Sequence, residues 1–182
     1  MFFKVNSFGV RGVEGFPVSV EADVSEGLPS FILVGYLAGE VKEAQERVRT
    51  AMKNAGFRLP PRRITVNLAP AGVRKEGTGF DLAIAAAVLG CLTKEPKEEK
   101  KDWAYIGELG LDGSVRPVPG ILPRVYAARE AGVCRVFLPS ENTAEGTAVE
   151  GVEIVGVADL AQLAELLAQP QRIRGAFFSP QQ

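Results

Sequence analysis

The residue types best suited to chemistry lie in one stretch, from Arg62 to Leu82. It reads as a strand over residues 64–68, a charged glycine-rich loop, and a helix starting at Phe80. Arg62, Arg63, Arg74 and Lys75 are cations that could meet phosphates, and they flank the two ends of that strand. Gly77, Thr78 and Gly79 stand directly ahead of the helix. Backbone amides and the helix dipole at such a junction can hold an anion. The same glycines can instead permit a tight turn and close helix packing. The stretch contains no serine, cysteine or histidine. It is laid out like an active-site loop and lacks the side chains that do chemistry. No G-x-x-x-x-G-K-[ST] pattern occurs anywhere, so ATP hydrolysis by this chain alone is not expected.

The basic set extends to Arg47, Arg49, Lys53 and Arg58. Contact with nucleic acid is one reading of it. A solvated face, or ion pairs with Glu40, Glu43 and Glu46, is the other, and Glu43 lies one helical turn ahead of Arg47. Asp81, in the first turn of an apolar helix, could be a functional carboxylate. It could equally meet helix-start amides or pair with Arg74 or Lys75. Glu108 sits among glycines and reads as structural; spacing alone gives no pair of catalytic carboxylates.

Composition narrows the classes. The chain has 182 residues, 46% hydrophobic and 24% charged, with a net charge of −1. That suits one well-buried domain and implies no global attraction to nucleic acid or membrane. With no histidine, His-based triads, His general bases and His metal ligands are excluded. Cys91 and Cys134 are too far apart for a short zinc motif and read as buried free thiols. There is no signal-peptide pattern and no run near 20 apolar residues, so a cytoplasmic protein without a membrane anchor is expected.

The positioning elements follow from periodicity. Residues 2–10 have strand character. In residues 17–24, Val18, Val20, Ala22 and Val24 alternate with Ser19, Glu21 and Asp23, which marks a half-solvated strand. Residues 30–34 are a short apolar strand. Residues 39–55 carry a helical period through Val41, Ala44, Val48, Ala51 and Met52, and Gly56 stops it. The almost wholly apolar residues 80–92 predict a helix at the centre of the core. Residues 93–102 read as an exposed linker. Residues 103–109 and 114–118 flank a Gly110-Leu111-Asp112-Gly113 hairpin turn. A helix over 121–131, a strand over 135–138, an undecided 146–150, a strand over 152–157 and a helix over 158–168 capped by Asp159 complete the pattern. From Gln169 the chain reads as a tail or linker. The order predicts an α/β chain with mixed strand pairing, and a small subdomain could begin near Trp103.

Read together, these segments resemble a family. Gly27-Leu28-Pro29, Val34-Gly35, the helix Val41 to Arg49, Arg63 to Pro70, Arg74 to Leu82 and Gly107-Glu108-Leu109 are similar to the N-terminal domain of the ComM/YifB magnesium-chelatase-like AAA+ proteins. The resemblance covers residues 1–168, leaving 169–182 as a tail or a linker to an ATPase domain absent from this chain. Ala38 departs from the proline usual in the family, which should alter a loop. The resemblance implies a Lon proteolytic-domain-like, ribosomal protein S5 domain 2-like α/β fold, a mixed sheet with packed helices. Lon-type peptidases use a Ser–Lys dyad. Laid over this sequence, the family's K-D-G-P-S-A-G loop puts Gly79 at the serine position. The helix after the Gly-Gly pair puts Leu122 at the lysine position. Both catalytic side chains are missing, and a shifted Thr78–Lys75 arrangement is the remaining peptidase option.

The resemblance therefore implies a non-catalytic domain that assembles or guides an AAA+ motor acting on DNA, in DNA processing or natural transformation. ATP and Mg would belong to the absent ATPase domain. Expected partners are that domain, copies of the chain in a ring, and DNA, but no membrane. An atypical Ser/Thr peptidase using Thr78, Ser114 or Ser140 is the alternative. An adaptor for metal chelation is a third reading, for which the sequence has no His or Cys cluster.

Overall fold

One mixed sheet of seven strands organises the computed structural model, which describes residues 1–93 and 98–180. β1 (Phe2–Arg11) and β2 (Glu14–Ser25) form an antiparallel hairpin. Its turn uses Gly12 at φ 61, a left-handed conformation that glycine adopts without steric cost. The alternation in β2 buries Val18, Val20, Ala22 and Val24 and leaves the intervening polar residues half-exposed, as the period of two requires. β4 (Arg63–Ala69) pairs antiparallel to β2, and β3 (Ser30–Val34) lies parallel to β4 at the edge. On the other side of β1 follow β5 (Trp103–Tyr105), β8 (Arg135–Pro139) and β9 (Glu153–Val157), all parallel. The order is β3-β4-β2-β1-β5-β8-β9. A separate two-stranded hairpin joins β6 (Glu108–Leu109) to β7 (Val115–Arg116).

Helices cover both faces. α3 (Asp81–Leu92) packs with α2 (Ala44–Asn54) and α6 (Leu160–Ala168) on the face that carries Val5, Trp103, Tyr105 and Phe137. α4 (Ile121–Glu130) packs with Phe8, Ala104, Ile106, Val136 and Leu138, which point the other way. Two short helices, α1 (Gly39–Lys42) and α5 (Thr143–Gly146), complete the set. The predicted central helix is α3: every residue from Asp81 to Val88 is buried. An all-apolar surface is stable only where neighbours cover it on all sides, and burial of each Leu, Ile or Val contributes about 1.5–3 kcal/mol. The α/β class with mixed pairing is as expected and is consistent with the S5 domain 2-like fold.

Several boundaries differ from the sequence reading. The helix over 39–55 is broken at Glu43 into α1 and α2. Residues 103–109 do not form one hairpin arm. Trp103–Tyr105 joins the main sheet, and only Glu108–Leu109 pairs across the turn. β5, which begins at Trp103, pairs with both β1 and β8 within the main sheet. The undecided 146–150 stretch ends α5 and turns toward β9. The tail reading from Gln169 is also too simple. Ile173 is buried, and Ala176 exchanges backbone hydrogen bonds with Ile154 at 2.8 Å in both directions, so the chain is strapped to β9 as far as residue 176. Asp159 caps α6 as predicted, its Oδ1 accepting from the Gln162 amide at 2.8 Å. Part of the predicted linker, residues 94–97, lies outside the described residues. Both cysteines are free, but only Cys91 is buried; Cys134 is exposed and donates to Asp102 Oδ2 at 3.0 Å. Among the described residues, no helix is long and apolar enough to cross a membrane.

Candidate functional site

The glycine-rich junction lies between β4 and α3, and its groups are largely matched by the protein's own atoms. The Gly77 amide donates to Glu40 Oε1 at 3.3 Å, so the expected anion-binding loop already holds a carboxylate. The backbone hydrogen bonds of Glu40 and Gly77 hold the Glu40 carboxyl below its usual range. At the start of α3, the Leu82 amide donates to the Gly107 carbonyl at 3.0 Å, and the Gly107 amide donates to Gly79 O at 2.9 Å. The loop before β6 thus clasps the helix start.

Asp81 is 1% exposed. Its carboxylate accepts from Arg47 Nε at 2.7 Å and Nη2 at 2.9 Å, and from the Leu109 amide at 3.0 Å. The expected partners Arg74 and Lys75 are not the ones it uses. Burial pushes the Asp81 carboxyl up, against the downward pull of Arg47 and Leu109. The hydrogen bonds that Arg47 donates to Asp81 raise the guanidinium in turn. Two charge-assisted bonds in fork geometry identify an ionised pair. Arg47 Nη2 also donates to Glu40 O at 2.8 Å, so α1, α2, α3 and β6 meet at this one pair.

The four candidate phosphate contacts separate. Lys75 is fully buried and its Nζ donates to the Pro70 carbonyl, so it cannot meet a phosphate at the surface. The loop folds inward there because the Lys75 backbone pairs with Tyr36 and Ala38 beyond β3. Burial lowers the Lys75 amine. Arg74 is exposed but donates to Glu76 Oε1 at 2.6 Å. Arg62 and Arg63 are exposed and carry no ion pair among the described residues. They sit at the opposite end of β4 from Arg74. A strand of this length spans about 20 Å at about 3.3 Å per residue, so the set is not one patch. Of the wider basic set, Arg49 pairs with Glu46 at 2.8 Å, Lys53 is exposed in the last turn of α2, and Arg58 is exposed on the connection from α2 to β4.

Around Gly79 the structure holds a residue that sequence reasoning missed. A Cβ built on Gly79 would meet the Arg124 guanidinium: Nη1 too closely, then Cζ at 3.0 Å and Nη2 at 3.2 Å. Arg124 is 5% exposed. Its Nη1 donates to Phe8 O at 3.0 Å. Phe8 faces Pro17 across the β1–β2 ladder, and proline has no N–H to offer. Burial alone lowers the Arg124 guanidinium. The signal was present in the helix: Ile121, Arg124, Val125 and Ala128 follow the i, i+3, i+4, i+7 spacing of a buried face. Leu122, by contrast, is 46% exposed.

The three candidate hydroxyls differ in their partners. Lys75 Nζ is bonded to Pro70 O, and no hydrogen bond joins it to Thr78 among the described residues. Ser114 Oγ donates to Asp112 Oδ1 at 2.6 Å within a turn, and Ser140 Oγ donates to Val157 O at 3.3 Å at the end of β9. No cluster of three or more potential metal-ligating residues occurs among the described residues.

The chain is similar to known proteins over most of its length. The family model described as subunit ChlI of Mg-chelatase matches residues 20–142. Competence protein ComM of Haemophilus influenzae is 43% identical over 127 residues, 70% of this chain and 25% of that protein. YifB of Escherichia coli is 36% identical over 147 residues, 81% of this chain and 29% of that protein. Lon protease 2 of Bacillus subtilis is 30% identical over 131 residues, 71% of this chain and 23% of that protein. The chain spans less than a third of the length of the curated relatives it matches, 31% for the mycobacterial ones.

Proposed function

The chain belongs to the magnesium-chelatase-like family of ChlI, ComM and YifB, and from that premise we propose that it is a non-catalytic Lon-like domain that helps an AAA+ motor assemble on, or engage, DNA. What supports the reading is the chemistry of the two residues that the resemblance aligns with the Lon dyad. Gly79 has no nucleophile and Leu122 no base, and the Arg124 guanidinium takes the space a side chain at residue 79 would need. A hydroxyl without a base attacks poorly. The purified chain is therefore expected to leave labelled casein intact. Gly79→Ser should not create activity, since it restores one dyad member and collides with Arg124. Casein cleavage that disappears in Thr78→Ala would overturn this reading and establish the shifted Thr–Lys peptidase.

DNA engagement rests on the exposed Arg62 and Arg63, unpaired among the described residues, with Arg58 on the adjoining connection and Lys53 in the last turn of α2. Binding by such a patch is sequence-independent. Log affinity falls by about 0.9 per phosphate neutralised for each unit of log salt. In fluorescence anisotropy with duplex DNA, the lone domain is expected to bind detectably only at low salt. Arg62→Ala/Arg63→Ala should lower the salt slope by roughly 2, whereas Arg74→Ala should change it little because Arg74 is held by Glu76. A ring of subunits would multiply these weak contacts. No binding at low salt, or an unchanged slope in the double variant, would leave assembly as the domain's role. ATP and Mg would serve the motor domain of the longer protein, with no binding site for them in this reading of the chain.

A further inference from the structure

A cavity of about 550 Å³ lies between the sheet and the C-terminal halves of α3 and α6. Phe3 and Val5 of β1 line it on the sheet side, together with Trp103 and Tyr105 of β5. On the helix side the lining includes small residues: Ala86 and Gly90 from α3, Ala164 and Ala168 from α6. The Phe3 ring sits so close to Gly90 that a Cβ there would strike it. The volume falls within the range of about 300–1,000 Å³ in which small-molecule sites occur.

The lining is mostly apolar, but two hydrogen-bond donors belong to it. Trp103 and Tyr105 stand two residues apart on a strand, so their side chains lie side by side on one face. They are only 8% and 5% exposed. Neither the indole N–H nor the phenol O–H has a hydrogen-bond partner among the described residues. Neither is sealed in: Arg124 Nε is the one side-chain donor shut away without a partner among those residues. Both donors therefore open onto the cavity. Ring contacts fix their positions. Tyr105 stacks on Phe137 with centroids 4.9 Å apart, and Trp103 is tilted against the same ring at 5.6 Å. Burial pushes the Tyr105 phenol up, so it keeps its proton to donate. The lining also carries charge. Lys100 pairs with Glu98 at 3.2 Å, whereas Arg58 has no ion pair among the described residues.

We propose that this cavity is a binding site for an amphipathic monocarboxylic acid, its carboxylate at the Trp103 and Tyr105 donors and its alkyl chain between α3 and α6. Two donors side by side match the two oxygens of one carboxylate. The apolar lining matches the chain, and Arg58 is the cation left to balance the charge. The site is independent of the Gly79 and Leu122 positions and of DNA engagement through Arg62 and Arg63.

Trp103 is the chain's single tryptophan, so its emission reports on the cavity directly. The test is titration of the whole chain with decanoate, below its micellar concentration, and in parallel with decanol. Decanoate is expected to change the emission saturably, with one site per chain. Tyr105→Phe keeps the ring and loses the O–H, and should weaken decanoate roughly fivefold, the worth of one neutral hydrogen bond. Arg58→Ala should weaken decanoate about two- to fivefold, the worth of one exposed charge contact, and leave decanol unchanged. Ala164→Phe fills the cavity and should remove binding of both. Arg62→Ala/Arg63→Ala should alter neither. Thermal melting checks that each variant is folded. Should Ala164→Phe fail that check, the wild-type chain gives a reading that needs no variant: the one indole N–H resonance, with the amides of Gly90 and Ala164, should shift on titration. No saturable change with decanoate, unaltered decanoate binding in Tyr105→Phe, equal effects of Arg58→Ala on decanoate and decanol, or resonance shifts that spare Trp103 would each overturn the proposal.

Discussion

Leu82→Asp is expected to unfold the domain, and Ile84→Asp to do the same. Both side chains are fully buried in α3, the helix that packs on β1, β2 and α2. Removing a buried leucine or isoleucine costs about 2–5 kcal/mol through lost transfer energy and the cavity left behind. Placing a carboxylate there adds the cost of a charged or neutralised polar group without a partner, several kcal/mol more. Together these match the whole stability of a typical domain, about 5–15 kcal/mol. Circular dichroism should show no cooperative thermal transition for either variant. Leu122→Asp is the control: Leu122 is 46% exposed, and surface substitutions of this kind shift stability by about 0.5 kcal/mol or less. Wild-type-like melting of Leu82→Asp would mean that α3 is not the centre of the core.

That helix was legible because its signal is carried by side-chain type alone: a dozen residues with no charge after Asp81 have only one place in a folded protein. Strand β2 was legible for a related reason, since its alternation maps onto a sheet with one covered face. What escaped were features fixed by long-range pairing. Trp103–Tyr105 looks like one arm of a local hairpin, but parallel pairing with β1, almost a hundred residues earlier, claims it. The segment 170–176 has the proline and polar residues of a tail, yet Ile173 and Ala176 fasten it to the domain. Lys75 shows the limit most plainly. Its charge and its place in a glycine-rich loop point to the surface, and only backbone pairing beyond β3 turns it inward. The family resemblance drew attention to Gly79 and Leu122. It said nothing of Arg124, which occupies the adjoining space from an ordinary-looking helix.

Asp81→Ala is expected to be the most damaging substitution that adds no new group. The carboxylate is the meeting point of Arg47 and the Leu109 amide. Deleting it leaves Arg47, whose side chain is only 19% exposed, as a half-buried cation with Glu43 at 3.8 Å as its remaining ionic contact. Breaking a buried pair from one side costs about 3–5 kcal/mol. At about 2–4 °C per kcal/mol for a chain of this size, Tm should fall by roughly 10 °C. The damage should also reach the glycine-rich loop. Arg47 donates to the Glu40 carbonyl, and the Glu40 side chain accepts from Gly77, so the pair anchors the loop through α1. Hydrogen exchange at Leu109 and Gly77 should therefore accelerate in Asp81→Ala under conditions where β1 and β2 stay protected. The Arg47→Leu/Asp81→Leu double variant separates charge from packing. Replacing both partners with apolar residues removes the uncompensated charge, so it should be more stable than Asp81→Ala despite changing more atoms. If the double variant instead loses the sum of the two single losses, the pair contributes through shape and not through charge balance. The loop would then have to be held by the Leu82–Gly107 and Gly107–Gly79 backbone bonds alone.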